Sequence, residues 1–514
     1  MIHLLWQRTR CRLEWIFFIA VFIANAAFLH YNAFRCFNFY DMCFPIDGGW
    51  RILSGQRPYV DFILFTGPIH FYLHALFIKI FGVGKTAILA YLVVSHSAVI
   101  ATVFLFLRKA VPFAMTAVGT LLTMTSFYWP VSHPWHDQTA HVWSILAIGV
   151  LLNRMPFKNN KVAFRVGFFA GAMAAFSFMT KTNLGMVYAA FFAAVLLSGN
   201  CRRASIFGLG TGFAAAAGAV LVLIGSPQEY FRQIVLFGSA KAQERLPGLL
   251  SPHNWLINYY WIFPILVLPN FVFKNRIPKS RIVLFLGVVF AGILSVLTGD
   301  MVTTANTALW GIVWGVAAVV IEPGGFQNRA AAVIYRLSRA GLMVFAIFLI
   351  AQSVHSGLEL KAWTRLDHRT GDYTYPLKTK QLQGWKCIPR EGIALDELVE
   401  FFNRQVSKDD AVLIITEMQI LPALTGIKSY KHVPVISFHK GITPVPGMQL
   451  DQVRKAICKD LPDWIVCDFI AVRDIIPYLG LLEVFWGLYE PEKELGFYAV
   501  FHKKKMGYFP WKER

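Results

Sequence analysis

Long apolar runs broken by short basic clusters fill the first two thirds of the chain, and from about residue 356 the apolar segments shorten among frequent charges. Runs of roughly 16 to 22 residues suffice to cross a hydrocarbon core about 30 Å thick as helices. The spans this pattern predicts are 13–32, 86–107, 111–129, 138–153, 166–180, 184–199, 205–225, 256–273, 282–299, 306–321 and 340–355, about eleven helices. The 306–321 helix is short for its task and ends at Glu322-Pro323-Gly324-Gly325. The first run resembles a signal peptide up to Ala24-Asn25-Ala26, but apolarity continues to Leu29, so an uncleaved first helix is expected.

After residue 356 the period changes. LDELVEFFNRQVSKDDAVLIITE reads as an amphipathic helix, a turn at Ser407–Asp410 and a buried strand Ala411–Ile415. DQVRKAICKDLPDWIVCD repeats helix, turn and strand, with Trp464–Cys467 as the strand, and ELGFYAVFHKK reads as a last strand before a basic tail. Two successive helix–strand units predict a small α/β domain with parallel pairing. It contains neither G-x-G-x-x-G nor a P-loop, and no internal repeat or low-complexity tract interrupts the chain.

Composition agrees with the spans. The 514 residues are 56% hydrophobic and 15% charged, against about a quarter charged in ordinary soluble domains. A net charge of +20 raises the question of nucleic acid, and its distribution answers it. Lys and Arg sit between apolar runs, at Arg8/Arg10/Arg12, Arg108/Lys109, Arg154/Lys158/Lys161/Arg165, Arg202/Arg203, Lys274/Arg276/Lys279/Arg281 and Arg329/Arg336/Arg339. This is the positive-inside pattern of short cytoplasmic loops, and no nucleic-acid module accompanies it. With these clusters inside, the N-terminus is cytoplasmic and the C-terminal domain extracytoplasmic. Residues 67–82, GPIHFYLHALFIKIFG, are short for a span, and a span there would turn every later basic loop outward. An interfacial helix on the outer surface is therefore expected, with His70 and His74 on one face as interfacial polar groups or a metal pair. Cys36 and Cys43 in the opening loop are read as unpaired core residues, with a bridge open to them in an oxidising space.

The same bookkeeping puts the polar stretch Tyr40–Phe62, YDMCFPIDGGWRILSGQRPYVDF, at the outer headgroup boundary. Asp41, Asp47 and Asp61 are its carboxylates. At that level a carboxylate can act as general base toward a hydroxyl or hold a divalent cation, or merely cap a helix in a solvated loop. GGWRILSGQR is expected to form a short helix ended by Gly55, with Pro58 and Tyr59 turning the chain back. Asp137, in Ser132-His133-Pro134-Trp135-His136-Asp137, lies at an outer span end where it can cap the fourth span. Lys181 lies at a tight outer hairpin, where an ammonium needs a partner or water. Arg232, Lys241 and Arg245 stand in the outer loop before Pro247.

The pattern Asp-x(5)-Asp-x-Gly-Trp-Arg-x-Leu-x-Gly-Gln-x-Pro-Tyr-x-Asp-Phe, followed by Thr-Gly-Pro, an aromatic-rich helix and Phe-Gly, resembles the GT-C glycosyltransferases. It is most similar to the branch holding protein O-mannosyltransferases and the lipid A aminoarabinose transferase. The resemblance implies a mainly α polytopic fold with a transmembrane catalytic domain over 1–355, a first outer loop at about 33–85 and a soluble α/β domain over 356–514. It implies inverting transfer of a sugar from a polyprenyl-phosphate donor to a lipid, glycan or protein acceptor, at a bacterial inner membrane. Asp41 has the spacing from Gly55 expected for the family's first acidic residue, with Asp47 as rival base. The family's Asp-Glu pair is absent, since Met42 follows Asp41 and Gly48 follows Asp47. Asp61 is implied as a positioning acid, Asp137 as the acid of the second outer loop, and Lys181 or the basics at 232, 241 and 245 as the donor-phosphate clamp. The resemblance implies no particular cofactor, and a divalent cation fits the chemistry. A transporter of lipid-linked sugar would also need many spans, though the repeats common in transporters are missing. A membrane-anchored assembly protein is the other alternative.

Overall fold

The computed structural model describes residues 2–64, 66–130, 133–234, 259–273, 277–298, 307–322, 329–359, 372–433, 450–469, 471–476 and 481–504. Each predicted span has a helix among them: α1 (Ile2–Ala33), α4 (Lys85–Ala110), α5 (Phe113–Phe127), α6 (His136–Arg154), α7 (Asn160–Phe178), α8 (Thr182–Ser198), α9 (Arg202–Ile224), and then Ile262–Phe273, Lys279–Thr298, Trp310–Ile321 and Arg329–Leu358. Between α1 and α4 lie two shorter helices, α2 (Phe39–Leu53) and α3 (Ile69–Phe81). The chain is a multi-pass membrane protein. Among the described residues α1, α4, α7, α9 and Arg329–Leu358 are long and apolar enough to span unaided. Helix α6 falls outside that group because its first turns carry His136, Asp137, Gln138 and His141.

Close helix packing follows from small residues. Gly167 and Gly171 on α7 face Gly208 and Gly212 on α9, one turn apart on each side. A Cβ on Gly171 would lie 2.1 Å from the Leu209 carbonyl, and one on Gly212 would lie 2.0 Å from that of Phe168. Two small-xxx-small faces thus bring the backbones together where lipid offers no hydrophobic drive for association. The Trp310–Ile321 helix has twelve residues, all buried, and its Trp314 packs over Gly119 of α5. At about 18 Å it is too short to span alone, and its neighbours surround it instead.

The C-terminal part forms an α/β unit. Strands β1 (Tyr375–Pro376) and β2 (Lys386–Cys387) make a small antiparallel pair. The main sheet has the order β4-β3-β5-β7-β6, with β3 (Ala411–Ile415), β4 (Lys428–Ser429), β5 (Trp464–Asp468), β6 (Tyr489–Leu495) and β7 (Tyr498–Lys503). Both predicted helix–strand units are present: helix Pro389–Gln405 precedes β3, and Leu450–Lys459 precedes β5. The β3–β5 pairing is parallel, as expected for such units. The last segment is a hairpin, not a single strand. Its β6, YEPEKEL, is an edge strand whose outward charges conceal it, and charge is how edges avoid pairing with other chains.

Candidate functional site

Helix α2 begins at Phe39, earlier than the expected GGWRILSGQR helix, and takes Asp41, Pro45 and Asp47 into it. Gly55, at φ +83°, follows its end. The adjacent Gly48 and Gly49 let α2 cross α3 closely. A Cβ on Gly48 would lie 2.2 Å from the Phe71 ring, and one on Gly49 would lie 2.9 Å from the Ala75 amide nitrogen. Helix α3 forms where the interfacial helix was expected, but its histidines are not surface groups. His70, Phe71, His74, Ala75 and Ile78 are buried in the protein, because α2 and α4 cover the face that the sequence offered to the interface.

The connections predicted to share one face of the membrane converge at one end of the bundle. Gly67 donates to the Thr180 carbonyl and Ile69 to that of Met179, joining the first loop to the hairpin that carries Lys181. A Cβ on Gly67 would meet the Met179 carbonyl at 1.9 Å, so the Thr-Gly-Pro element is an approach only glycine permits. Gln233, buried in the helical segment 227–234, donates to the Tyr59 carbonyl at 2.9 Å and accepts from the Leu64 amide at 3.1 Å. Tyr59 has φ +67°, its hydroxyl donates to the Thr66 carbonyl, and its ring stands edge-on to Tyr230. Phe44 of α2 meets Trp135 edge-on at 5.2 Å, closing the second connection onto the first.

The three aspartates of Tyr40–Phe62 have separate surroundings. The side chain of Asp41 lies outside the described residues, and its backbone is in the first turn of α2. Asp47 is buried with both oxygens engaged: Arg51 Nε donates to Oδ2 at 2.7 Å and Ser429 Oγ to Oδ1 at 2.8 Å. Burial pushes its carboxyl above the usual range, against the pull of Arg51 and Ser429. Around this pair α2 is fastened to the α/β unit. Arg51 also donates to the Tyr430 carbonyl, Gln56 to that of Ser429 at 2.6 Å, and Trp50 Nε1 to that of Ile427 at 3.0 Å. Asp61 accepts from the Arg57 amide at 2.7 Å and lies 3.5 Å from Lys431 Nζ, while its carbonyl accepts from the His432 amide. The Asp47–Arg51 spacing of four on one helix was the available sign of this pair.

Asp137 and Lys181 are brought together from α6 and the residue before α8. Their side chains form an ion pair that is nearly closed to solvent, and His136 Nε2 lies 3.2 Å from the same carboxylate oxygen. Asp137 stands in the first turn of α6, and Trp135 occupies the capping position. His70, His74, His133 and His136 gather beside the pair from α3, the connection before α6 and α6 itself: the His70 ring is 4.7 Å from His74 and 6.2 Å from His136. Arg232 is engaged with Glu229 at the surface, and Lys241 and Arg245 lie outside the described residues. Among the described residues no group of three or more His, Cys, Asp or Glu is arranged to hold a metal ion. Cys36 and Cys43 are buried and free of any disulfide.

No family model and no curated protein sequence matches the chain. Its structure is similar to that of ArnT from Cupriavidus metallidurans bound to undecaprenyl phosphate, at 11% identity and a TM-score of 0.56, over 94% of this chain and 97% of that one. ArnT in the apo state matches at 12% identity and 0.50 over the same shares. An Archaeoglobus fulgidus oligosaccharyltransferase tethered with an acceptor peptide aligns at 12% identity and a TM-score of 0.40, over 95% of this chain and 74% of that one. The likeness to ArnT extends over 94% of this chain, and the chain is therefore a polytopic membrane protein with an ArnT-like fold and a small α/β unit at its C-terminal end.

Proposed function

We propose that this protein is an integral membrane glycosyltransferase that moves a sugar from a polyprenyl-phosphate donor to an acceptor hydroxyl on the extracytoplasmic side of a bacterial inner membrane, inverting the anomeric carbon. The observation that carries this reading is the buried Lys181–Asp137 pair at the gathered helix ends, beside the acidic first-loop helix. An ammonium has three donors; one on Asp137 leaves two for a lipid-linked phosphate. Asp137 keeps Lys181 charged and aimed, and Lys181 stabilises the phosphate that departs with the polyprenol. The ArnT structure with undecaprenyl phosphate supports this class of donor. Asp41 is the proposed base, taking the proton of the acceptor hydroxyl as it attacks opposite the leaving phosphate. Asp47, with both oxygens engaged, is assigned to hold α2 against the α/β unit, and Asp61 to hold the end of the loop. Incubating the purified protein in nanodiscs with radiolabelled undecaprenyl-phosphate sugars and membrane extract tests the reading. Label should pass to an acceptor or be released by wild type and not by Asp41→Asn. Consumption of no donor, or undiminished turnover by the variant, would reject the reaction or the base respectively.

A further inference from the structure

His70 and His74 take no part in the reaction just described, yet both are buried at its edge. His70 Nδ1 lies 3.3 Å from Thr139 Oγ1 and 3.5 Å from the Tyr91 hydroxyl. Thr139 already donates its proton to the Trp135 carbonyl at 2.9 Å. At the 2.8 Å contact between Thr139 and Tyr91, the tyrosine must then be the donor. Both hydroxyl protons are committed, so His70 Nδ1 can take part only by donating. A neutral imidazole carries one proton, which leaves Nε2 a bare lone pair.

Among the described residues that Nε2 is buried without a hydrogen-bond partner, and so is Nε2 of His74. Burial, with His74, His136 and His133 nearby, holds His70 well below its ordinary range, and burial holds His74 down to about 3. A nitrogen that resists protonation accepts a hydrogen bond without keeping the proton, which suits recognition of a hydroxyl better than base catalysis. Buried polar atoms are seldom left orphaned in native proteins, and an exception calls for a ligand or a role. The His70 ring stands 6.2 Å from that of His136, whose Nε2 lies 3.2 Å from the carboxylate that holds Lys181. Phe44, Phe71 and Trp135 surround these imidazoles with apolar ring surface, a fit for the C–H faces of a sugar.

Resting on the glycosyltransferase reading, we propose that His70 is a specificity-determining residue whose Nε2 accepts a hydrogen bond from a hydroxyl of the donor's sugar, with His74 as a second contact. Nearness to the phosphate clamp selects the donor sugar over the acceptor, because the sugar is bonded to that phosphate.

The test is 15N NMR of the full-length protein in nanodiscs, labelled at histidine and lysine. It is titrated with undecaprenyl phosphate and with undecaprenyl-phosphate-linked glucose, galactose and mannose. Free protein should show His70 protonated at Nδ1. A sugar-bearing lipid should move His70 Nε2 into the hydrogen-bonded range, while the sugar-free carrier moves Lys181 alone. Sugar-bearing lipids that shift Lys181 and leave His70 unchanged would overturn the subsite and leave the reaction class standing. Silence of Lys181 toward every lipid would overturn the reaction class and the subsite with it. In kinetics, His70→Phe should raise KM for the accepted donor about tenfold, with the affinity for undecaprenyl phosphate unchanged. His70→Gln, which restores an acceptor oxygen, should recover part of the loss. Equal loss of affinity for the sugar-bearing and sugar-free lipids would mark a structural role and overturn the proposal.

Discussion

At the scale of single residues, Asp47 and Lys181 show how burial assigns roles to charges. Each lies where a lone charge would be costly, and each has a partner of opposite sign within direct contact. Truncating one member of a buried pair strands the other, at a cost of about 3–5 kcal/mol. Asp47→Ala should therefore lower the thermal unfolding midpoint strongly, and Ser429→Ala should do so much less, because Arg51 still satisfies the carboxylate. Asp41→Asn is expected to reduce transfer at least about a hundredfold with an unchanged unfolding midpoint, as for loss of a base. Lys181→Met should reduce both donor binding and stability, and Lys181→Arg should restore the pairing more than the turnover. That the Tyr40–Phe62 stretch gathers aspartates at 41, 47 and 61 was legible from the sequence. Which of them is engaged was not, since Ser429 and Lys431 approach from about 370 residues further along the chain.

At the scale of elements, glycine decides which helices and loops come close. Gly67 admits the first loop to the Met179–Thr180 backbone only because it lacks a Cβ. Gly67→Ala should separate that loop from the Lys181 hairpin and lower the turnover of a lipid-linked donor, with little change in total helix content by circular dichroism. Gly208→Leu should weaken the α7–α9 contact and show as lost thermal stability, because side-chain bulk would replace a backbone approach. Element positions were mostly legible: apolar runs and basic breaks placed the spans, and period changes placed Pro389–Gln405, β3 and β5. Two elements were misread for physical reasons, and the setting of one pair of side chains in a third. The extent of α2 was hidden by Pro45 and the Gly48-Gly49 pair, which a local reading treats as helix breakers. The edge strand β6 was hidden by its charges. For α3, the histidine face looked interfacial because sequence periodicity shows that a face is distinct, without showing what covers it.

At the scale of the whole molecule, the α/β unit and the first loop form one packed assembly. Strand β4 and the residues on either side of it receive Trp50, Arg51, Gln56 and Asp47, and Lys386 exchanges backbone hydrogen bonds with Phe34 and Phe37. The histidine cluster behind this assembly sets a pH dependence. His70 and His74, and His133 at about 3, titrate in the folded protein below their ordinary 6.5. The unfolded chain therefore binds protons first on acidification. Stability is retained above about pH 6.5 and falls as pH drops toward 3, by about 1.4 kcal/mol per unit for each histidine. Unfolding midpoints in nanodiscs should fall between pH 7 and pH 5, and less steeply for His74→Phe; a flat profile would contradict the burial of these groups.

The sequence by itself determined that the chain crosses a membrane many times, which connections share a face, and where an α/β unit follows. Those properties depend on local hydrophobicity, charge and period, each readable within about twenty residues. Tertiary structure alone decided that Asp137 finds Lys181, that Asp47 is occupied by Arg51 and Ser429, and that His70 is buried beside Thr139 and Tyr91. Each of these depends on which side chains meet across elements distant in sequence, and on the water their meeting excludes.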